Sequence, residues 1–338
     1  MSYYVYVAVA NENRVALWTM DPQTGKLVFR EDFAIQGGPS PLAFYRGESG
    51  LFLYAGLRAS CEIASLAVDP RTGQLSLLGK VPLTSDPCYV STDRTGRYLL
   101  ASYYTAGQVS IHPIGLDGKV RDSSVEPIAT YPNAHSIQTD RSNRFAFVPH
   151  VGESNVILQF SFDSQKGQLT LNPHATIHPE AGTGPRHYCF HPRLDVVYFV
   201  NEQGCSISAY TFDPAHGTLA HMQTLSTLPT AYAGENSCAQ IHIAPSGRFL
   251  YAANRGHDSI ACFAVDEETG HLIAAGHQPT EQTPRAFAVS PDSKYLLVTG
   301  RASGRLATYQ IDGQAGTLHP LDIYPVGERP MWVLSVML

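Results

Sequence analysis

The feature that most constrains this chain is one turn written seven times. Asp21-Pro-Gln-Thr-Gly25-Lys-Leu27 returns as Asp69…Gly73…Leu75, Asp163…Gly167…Leu169, Asp213…Gly217…Leu219, Asp266…Gly270…Leu272 and Asp312…Gly316…Leu318, and a shortened copy, Asp117-Gly-Lys-Val120, fills the remaining gap. Successive Asp positions lie 46 to 53 residues apart, about the length of one four-stranded propeller blade. Asp can start the turn through its side chain and Gly can take positive φ, so each copy predicts a hairpin between two strands. Function need not be invoked for these turns.

A second element precedes each turn: a short apolar strand, a polar turn, then an aromatic-rich strand, as in Arg94–Ser102, Pro245–Ala253 and Pro291–Thr299. These β-branched and aromatic runs, bounded by Gly, Pro, Asp and Ser, carry no helical periodicity. The expectation is an all-β, seven-bladed β-propeller of four-stranded antiparallel blades, a single domain over residues 1–338. Six copies of the second element are complete and the seventh is split. Met331–Val336 has the pattern of an inner strand and Tyr3–Val9 that of its continuation, so the N- and C-terminal strands should share one blade and close the ring, hiding the edges of an open array.

Composition narrows the partners. A net charge of −6 with no Lys/Arg block argues against nucleic acid or an anionic membrane as the main partner, since both call for a concentrated basic field. The first 20 residues lack a basic n-region and a small-residue cleavage site, and no apolar run approaches membrane-spanning length, which points to a cytoplasmic protein. Six cysteines (61, 88, 189, 205, 238 and 262) stand far apart with no CxxC pair and no His at zinc spacing. Reduced thiols scattered in a strand-rich core are expected, and no metal site. Nothing in the sequence fixes an oligomeric state.

In an antiparallel four-stranded blade, the start of the innermost strand and the end of the second lie at one face. Aligned without gaps on the Gly-Arg-type turns, the inner strands start at Leu42, Cys88, His135, Arg186, Ala239, Arg285 and Met331. The second strands end at Arg58, Tyr104, Val151, Glu202, Arg255 and Arg301, with His150 beside Val151. One face of an acidic protein thus collects five arginines, a carboxylate and two histidines. Guanidinium groups bind phosphate or carboxylate in a fixed fork, so a small anion is expected there. Plainer readings stand beside this one. Arg58 and Arg301 read equally as solvated surface charges, Glu202 as a structural ion-pair partner, and His135 and His187 as satisfied core histidines. The chain has no Gly-x-Ser-x-Gly elbow, no His-Glu-x-x-His, no phosphate-binding Gly-rich loop and no Cys/His pair at reactive spacing, so any catalysis would rest on acid/base groups and Arg electrostatics.

The segments Gly184-Pro-Arg-His-Tyr-Cys-Phe-His-Pro192, Asn201-Glu202, Ala134-His-Ser136, Gln278–Arg285 and Pro330-Met-Trp-Val333 resemble the seven-bladed propeller lactonase family, which is related to carboxy-cis,cis-muconate cyclase. The similarity runs over essentially the whole chain. It implies opening of 6-phosphoglucono-δ-lactone to 6-phosphogluconate in the pentose phosphate pathway, without metal or organic cofactor. The cyclase pattern of one His, two Arg and one Glu falls on His135, Arg186, Arg255 and Glu202. For lactone hydrolysis at this face, which needs a base, oxyanion stabilisation and an acid, the expectation is that Glu202 or His135 acts as base toward water, Arg186 stabilises the oxyanion, His187 is a candidate acid, and Arg255 with Arg285 holds the phosphate. Tyr104, Arg58 and Arg301 complete the expected substrate-binding set. Two other readings remain open: a carboxymuconate-type cycloisomerase, and a propeller that binds a small anion or a partner without chemistry.

Overall fold

A computed structural model describes residues 3–123 and 126–338. Seven four-stranded antiparallel sheets form a ring, and one short 3-10 turn, Ala10–Glu12, is the single helical element among the described residues. Blade 1 is built from both ends of the chain, with Pro330–Met337 innermost, followed outward by Tyr3–Val9, Arg14–Met20 and Leu27–Ala34. The expected closure of the ring by shared terminal strands is therefore observed. Blades 2 to 7 follow in chain order, their innermost strands being Pro39–Gly47, Pro87–Thr92, Gln138–Thr139, Pro185–Phe190, Ser237–Ile243 and Pro284–Val289. The shortened turn at Asp117 leaves blade 3 with an outer strand of only two residues, Ile128–Ala129.

The repeated turn forms as its residues dictate. In Asp213–Gly217 the Asp213 Oδ1 accepts the Ala215 N–H at 2.8 Å, Gly217 N–H donates to the Asp213 carbonyl at 2.8 Å, and Gly217 has φ +70°. A side chain at this glycine would also strike the next blade, because a Cβ on Gly217 would lie 2.0 Å from the Phe145 ring of blade 4. The same joint recurs around the ring. Tyr4 of blade 1 covers Gly73 of blade 2, Phe52 covers Gly118, Tyr98 covers Gly167, Phe249 covers Gly316, and Tyr295 of blade 7 covers Gly25 of blade 1. Between blades 5 and 6, Val196 and Tyr198 meet Gly270, and the Tyr198 hydroxyl donates to the Gly270 carbonyl at 2.7 Å. The two repeated sequence elements are thus the two halves of one inter-blade contact, apolar cover and hydrogen bond together. Apolar clusters fill the spaces between blades, such as Tyr198, Val200, Leu250, Ala252 and Phe263 between blades 5 and 6.

The inner strands do not run straight into the axis. Pairing slips by one residue between Pro87 and Tyr89, between Pro185 and His187, and between Pro284 and Ala286, so Cys88, Arg186 and Arg285 each sit on a β-bulge. A bulge re-aims its side chain and ends regular pairing. The same irregularity falls on the aligned Met331 of blade 1 and spans the aligned Ala239 of blade 6.

Candidate active site

Contacts between blades that are not neighbours locate the axis. His187 of blade 5 packs edge to face on Tyr89 of blade 3 at 5.1 Å between ring centroids, on His135 of blade 4 at 5.0 Å, and lies 6.1 Å from Trp332 of blade 1. Tyr89 in turn meets Trp332 at 5.7 Å. Side chains from four blades can meet this way only at the centre of the ring. Tyr104 stands over His135 at 5.6 Å and is open to solvent. Tyr89 and Trp332 were not foreseen as neighbours of the site. Each stands one residue beyond an aligned inner-strand position, and that offset from Cys88 and Met331 is the signal that could have found them.

The carboxylate of Glu202 is gripped from two blades. Arg186 Nε lies 2.7 Å from Glu202 Oε2, close enough for an ion pair although the N–H is not aligned for a hydrogen bond, and Arg255 Nη2 lies 3.0 Å from Oε1. Backbone carbonyls fix both guanidiniums. Arg186 Nη1 donates to Ala239 O, and Arg255 Nη2 donates to Cys238 O at 2.6 Å. Arg186 is 1% exposed, and Ser136 Oγ donates to its carbonyl at 3.0 Å, tying the segment that carries His135 to the Arg186 bulge. Cys88 adds a second tie through contacts of 3.4 Å to the carbonyls of Ala134 and His135. Burial would raise the Glu202 carboxyl, but Arg186 and Arg255 outweigh it and hold the group below the ordinary carboxylate range.

Arg285 differs from these two. Among the described residues it has no hydrogen bond and no ion pair, and burial together with the charges of Arg186, Arg255, Arg58 and Arg301 pushes its pKa well down. A guanidinium resists deprotonation, so the same energies describe an unanswered positive charge. The charges of these five arginines act on one another, so their guanidinium groups lie near each other. Arg58 has spent its charge on Asp86, with Nε at 2.9 Å. Arg301 is half-buried and unpaired among the described residues, lowered by burial and then by Arg329, Arg255 and Arg58. Five guanidiniums therefore face two carboxylates, Glu202 and Asp86, in a chain whose net charge is −6.

Burial first, and then the Arg186 charge, push His135 and His187 well below the ordinary imidazole range, so both are neutral at neutral pH. His135 Nδ1 and His187 Nε2 are buried without a hydrogen-bond partner, which is unusual for buried polar atoms. His150, the other histidine expected at this face, is fully buried, turns Nδ1 to Val156 O at 3.3 Å and packs on Tyr131. The second imidazole beside the arginines is His187. Among the described residues no group of three His, Cys, Asp or Glu side chains is placed to hold a metal ion, and no helix is long and apolar enough to cross a membrane.

Comparison with known proteins follows the same lines. Residues 4–335 match the family described as lactonase, 7-bladed beta-propeller. The chain is 34% identical to a 6-phosphogluconolactonase of Pectobacterium carotovorum over 98% of both chains, and 33% identical to one of Cronobacter sakazakii over 99% of this chain and 98% of that one. A solved structure of a candidate 6-phosphogluconolactonase from Bacteroides uniformis superposes with a TM-score of 0.89 at 29% identity, covering 99% of each chain. Matched almost end to end in sequence and in fold, the chain belongs to the seven-bladed β-propeller lactonase family.

Proposed function

We propose that this protein opens 6-phosphoglucono-δ-lactone to 6-phosphogluconate, the hydrolytic step of the pentose phosphate pathway, at the arginine-rich mouth of its channel. The observation that carries the reading is Arg285, an unpaired guanidinium among four others. Such a site is incomplete without an anion, and a sugar phosphate supplies one. The names of the full-length relatives support the same substrate. A cytoplasmic location is part of this proposal.

Lactone hydrolysis needs a water delivered to the acyl carbon, stabilisation of the charge growing on the carbonyl oxygen, and a proton for the ring oxygen as it leaves. Glu202 is a poor base because guanidiniums occupy both of its oxygens. His135 is neutral and its Nδ1 lone pair or proton is uncommitted, which favours it as the base that takes the water proton. Glu202 then orients Arg186 and Arg255. Arg186 Nη2 has no protein partner among the described residues and is free to face the oxyanion. Arg285 and the unengaged Nη1 of Arg255 hold the phosphate, with Arg301 and Tyr104 at the rim. His187 packs edge to face on His135 but is neutral, so the ring oxygen takes its proton from His135, which gained it from the water. This lactone also opens spontaneously, so positioning plus modest acid/base help suffices.

The test is a spectrophotometric record of lactone decay with purified protein, with gluconolactone and a carboxymuconate alongside. Decay of the phosphorylated lactone well above the spontaneous rate supports the proposal. Conversion of the muconate alone would replace it with the cycloisomerase reading, and no conversion of any substrate would leave a binding propeller.

A further inference from the structure

The residue just before each third strand lies in the left-handed region: Asn13, Cys61, Gly107, Asn155, Cys205, Asp258 and Gly304, with φ between +42° and +69°. Gly, Asn and Asp take this conformation readily. In three blades its side chain staples the loop that leads to the next inner strand. Asn13 Oδ1 accepts from Gly37 and Gly38, Asn155 Oδ1 from Gly184 at 2.7 Å, and Asp258 Oδ1 from Thr283 at 2.9 Å. Cysteine occupies the position twice, and the two copies differ. Among the described residues the one hydrogen-bond contact of Cys61 Sγ is to the Arg58 carbonyl, at 3.9 Å. Cys205 Sγ does the stapling, receiving Asn236 Nδ2 at 3.2 Å and lying 3.4 Å from Asn236 O.

Beyond Cys205 stands a second thiol. Cys238 is fully buried, and the two thiols meet one side-chain network: Asn236 Nδ2 lies 3.2 Å from Cys205 Sγ and 3.1 Å from Asn254 Oδ1, which lies 3.3 Å from Cys238 Sγ. The neighbouring Cys238, the Asn236 amide and the Arg255 charge lower the Cys205 thiol, whereas burial raises Cys238. Cys205 is half-buried and so reachable from solvent. A thiolate of this kind beside a resolving thiol is the arrangement that reacts with peroxides.

We infer that Cys205 and Cys238 form an oxidation site that takes a hydroperoxide and closes to a disulfide at the edge of the mouth. The Cys205 thiolate attacks the peroxide oxygen, the O–O bond breaks, and the leaving alkoxide or hydroxide takes a proton, giving a sulfenic acid. The Cys238 sulfur then loses its proton and attacks Cys205 sulfur, expelling hydroxide as water and forming the S–S bond. Two thiols are oxidised and one peroxide is reduced to an alcohol, or to water, plus one further water. Cys238 holds both halves of the Glu202–Arg255 pair, its N–H donating to Glu202 O at 3.0 Å and its carbonyl accepting Arg255 Nη2 at 2.6 Å. Pulling Cys238 toward Cys205 displaces that pair, so the disulfide form loses turnover.

The experiment treats the full-length protein with one equivalent of hydrogen peroxide and maps the thiols by mass spectrometry, using Cys61 as the internal comparison. The expected result is a Cys205–Cys238 cross-linked peptide forming at least about tenfold faster than any change at Cys61, absent from Cys205→Ser and Cys238→Ser, with a trappable sulfenic acid at Cys205 in Cys238→Ser. Lactone turnover should fall in step with the cross-link and return with dithiothreitol. Oxidation of Cys205 no faster than Cys61, or a complete cross-link with undiminished turnover, overturns the inference. The peptide map needs no substrate, so failure of the proposed lactonase activity is read separately.

Discussion

The periphery of this propeller and its axis obey opposite rules. At the periphery every blade makes the same joint, a side chain at the start of one second strand covering the turn glycine of the next blade, from Tyr4 on Gly73 round to Tyr295 on Gly25. At the axis the equivalent positions carry Leu42, Cys88, His135, Arg186, Ala239, Arg285 and Met331, and from blade 2 round to blade 7 no two adjacent blades offer the same chemistry. A ring needs the first kind of position to be uniform, since each blade buries its faces only against its neighbours. It leaves the second kind free. Departure from the repeat is therefore where binding and chemistry are to be sought.

The largest effect should come from breaking the ring itself. Deleting residues 331–338 removes most of the innermost strand of blade 1 and uncovers the paired edge of Tyr3–Val9. Loss of the cooperative melting transition is expected, and a truncated protein that melts like the parent would contradict closure by shared strands.

At the axis, Arg186→Ala should lower kcat/KM about 10³-fold, the scale of losing a preorganised oxyanion donor, while circular dichroism still reports a folded β protein. Arg285→Ala should separate activity from stability. About 10²-fold is lost in kcat/KM, yet Tm rises by a few degrees because an unpaired charge leaves a cluster of like charges. A fall in Tm would mean that Arg285 has a structural partner.

Gly217→Ala reverses that pattern at the periphery. A Cβ forced to 2.0 Å from Phe145 at φ +70° should cost about 2 kcal/mol or more of stability and leave kcat/KM at 25 °C within about twofold. A tenfold loss of turnover would show that the joints and the mouth are coupled.

The smallest effect is the response to pH. Glu202, His135 and His187 all have folded pKa values below their unfolded ones. Each therefore contributes stability that is complete above the unfolded value and is lost as pH falls toward the folded one. Stability should begin to decline below about pH 6.5, where unfolded imidazole takes up protons that the folded protein refuses. Turnover, which needs neutral His135, should hold to lower pH than that. A kcat acid limb at or above about 6.5 would remove His135 as the base.

Much of this was legible in the sequence, for reasons that differ by position. The blade count and the split blade follow from turn chemistry, because Asp and Gly act locally and repeat in register. Gapless alignment also brought Arg186, Glu202 and Arg255 to one place, since antiparallel pairing fixes which strand ends share a face. It could not tell His150 from His187, because one residue of offset decides whether an imidazole faces a neighbouring blade or the axis, and the bulge at Arg186 changes that offset. Nor could it see that Asp86 neutralises Arg58 while Arg285 stays unpaired. Those facts depend on side-chain contacts across blades. The joint of aromatic ring on glycine was hidden for the same reason, although both halves stood in plain view as separate repeats.

The most direct test of the central claim is a crystal structure with 6-phosphogluconate bound. The account predicts the phosphate on Arg285, with the new carboxylate facing Arg186 Nη2 and within reach of His135. Product seated at the opposite mouth, or on the outer turns with Arg285 still unpaired, would contradict it.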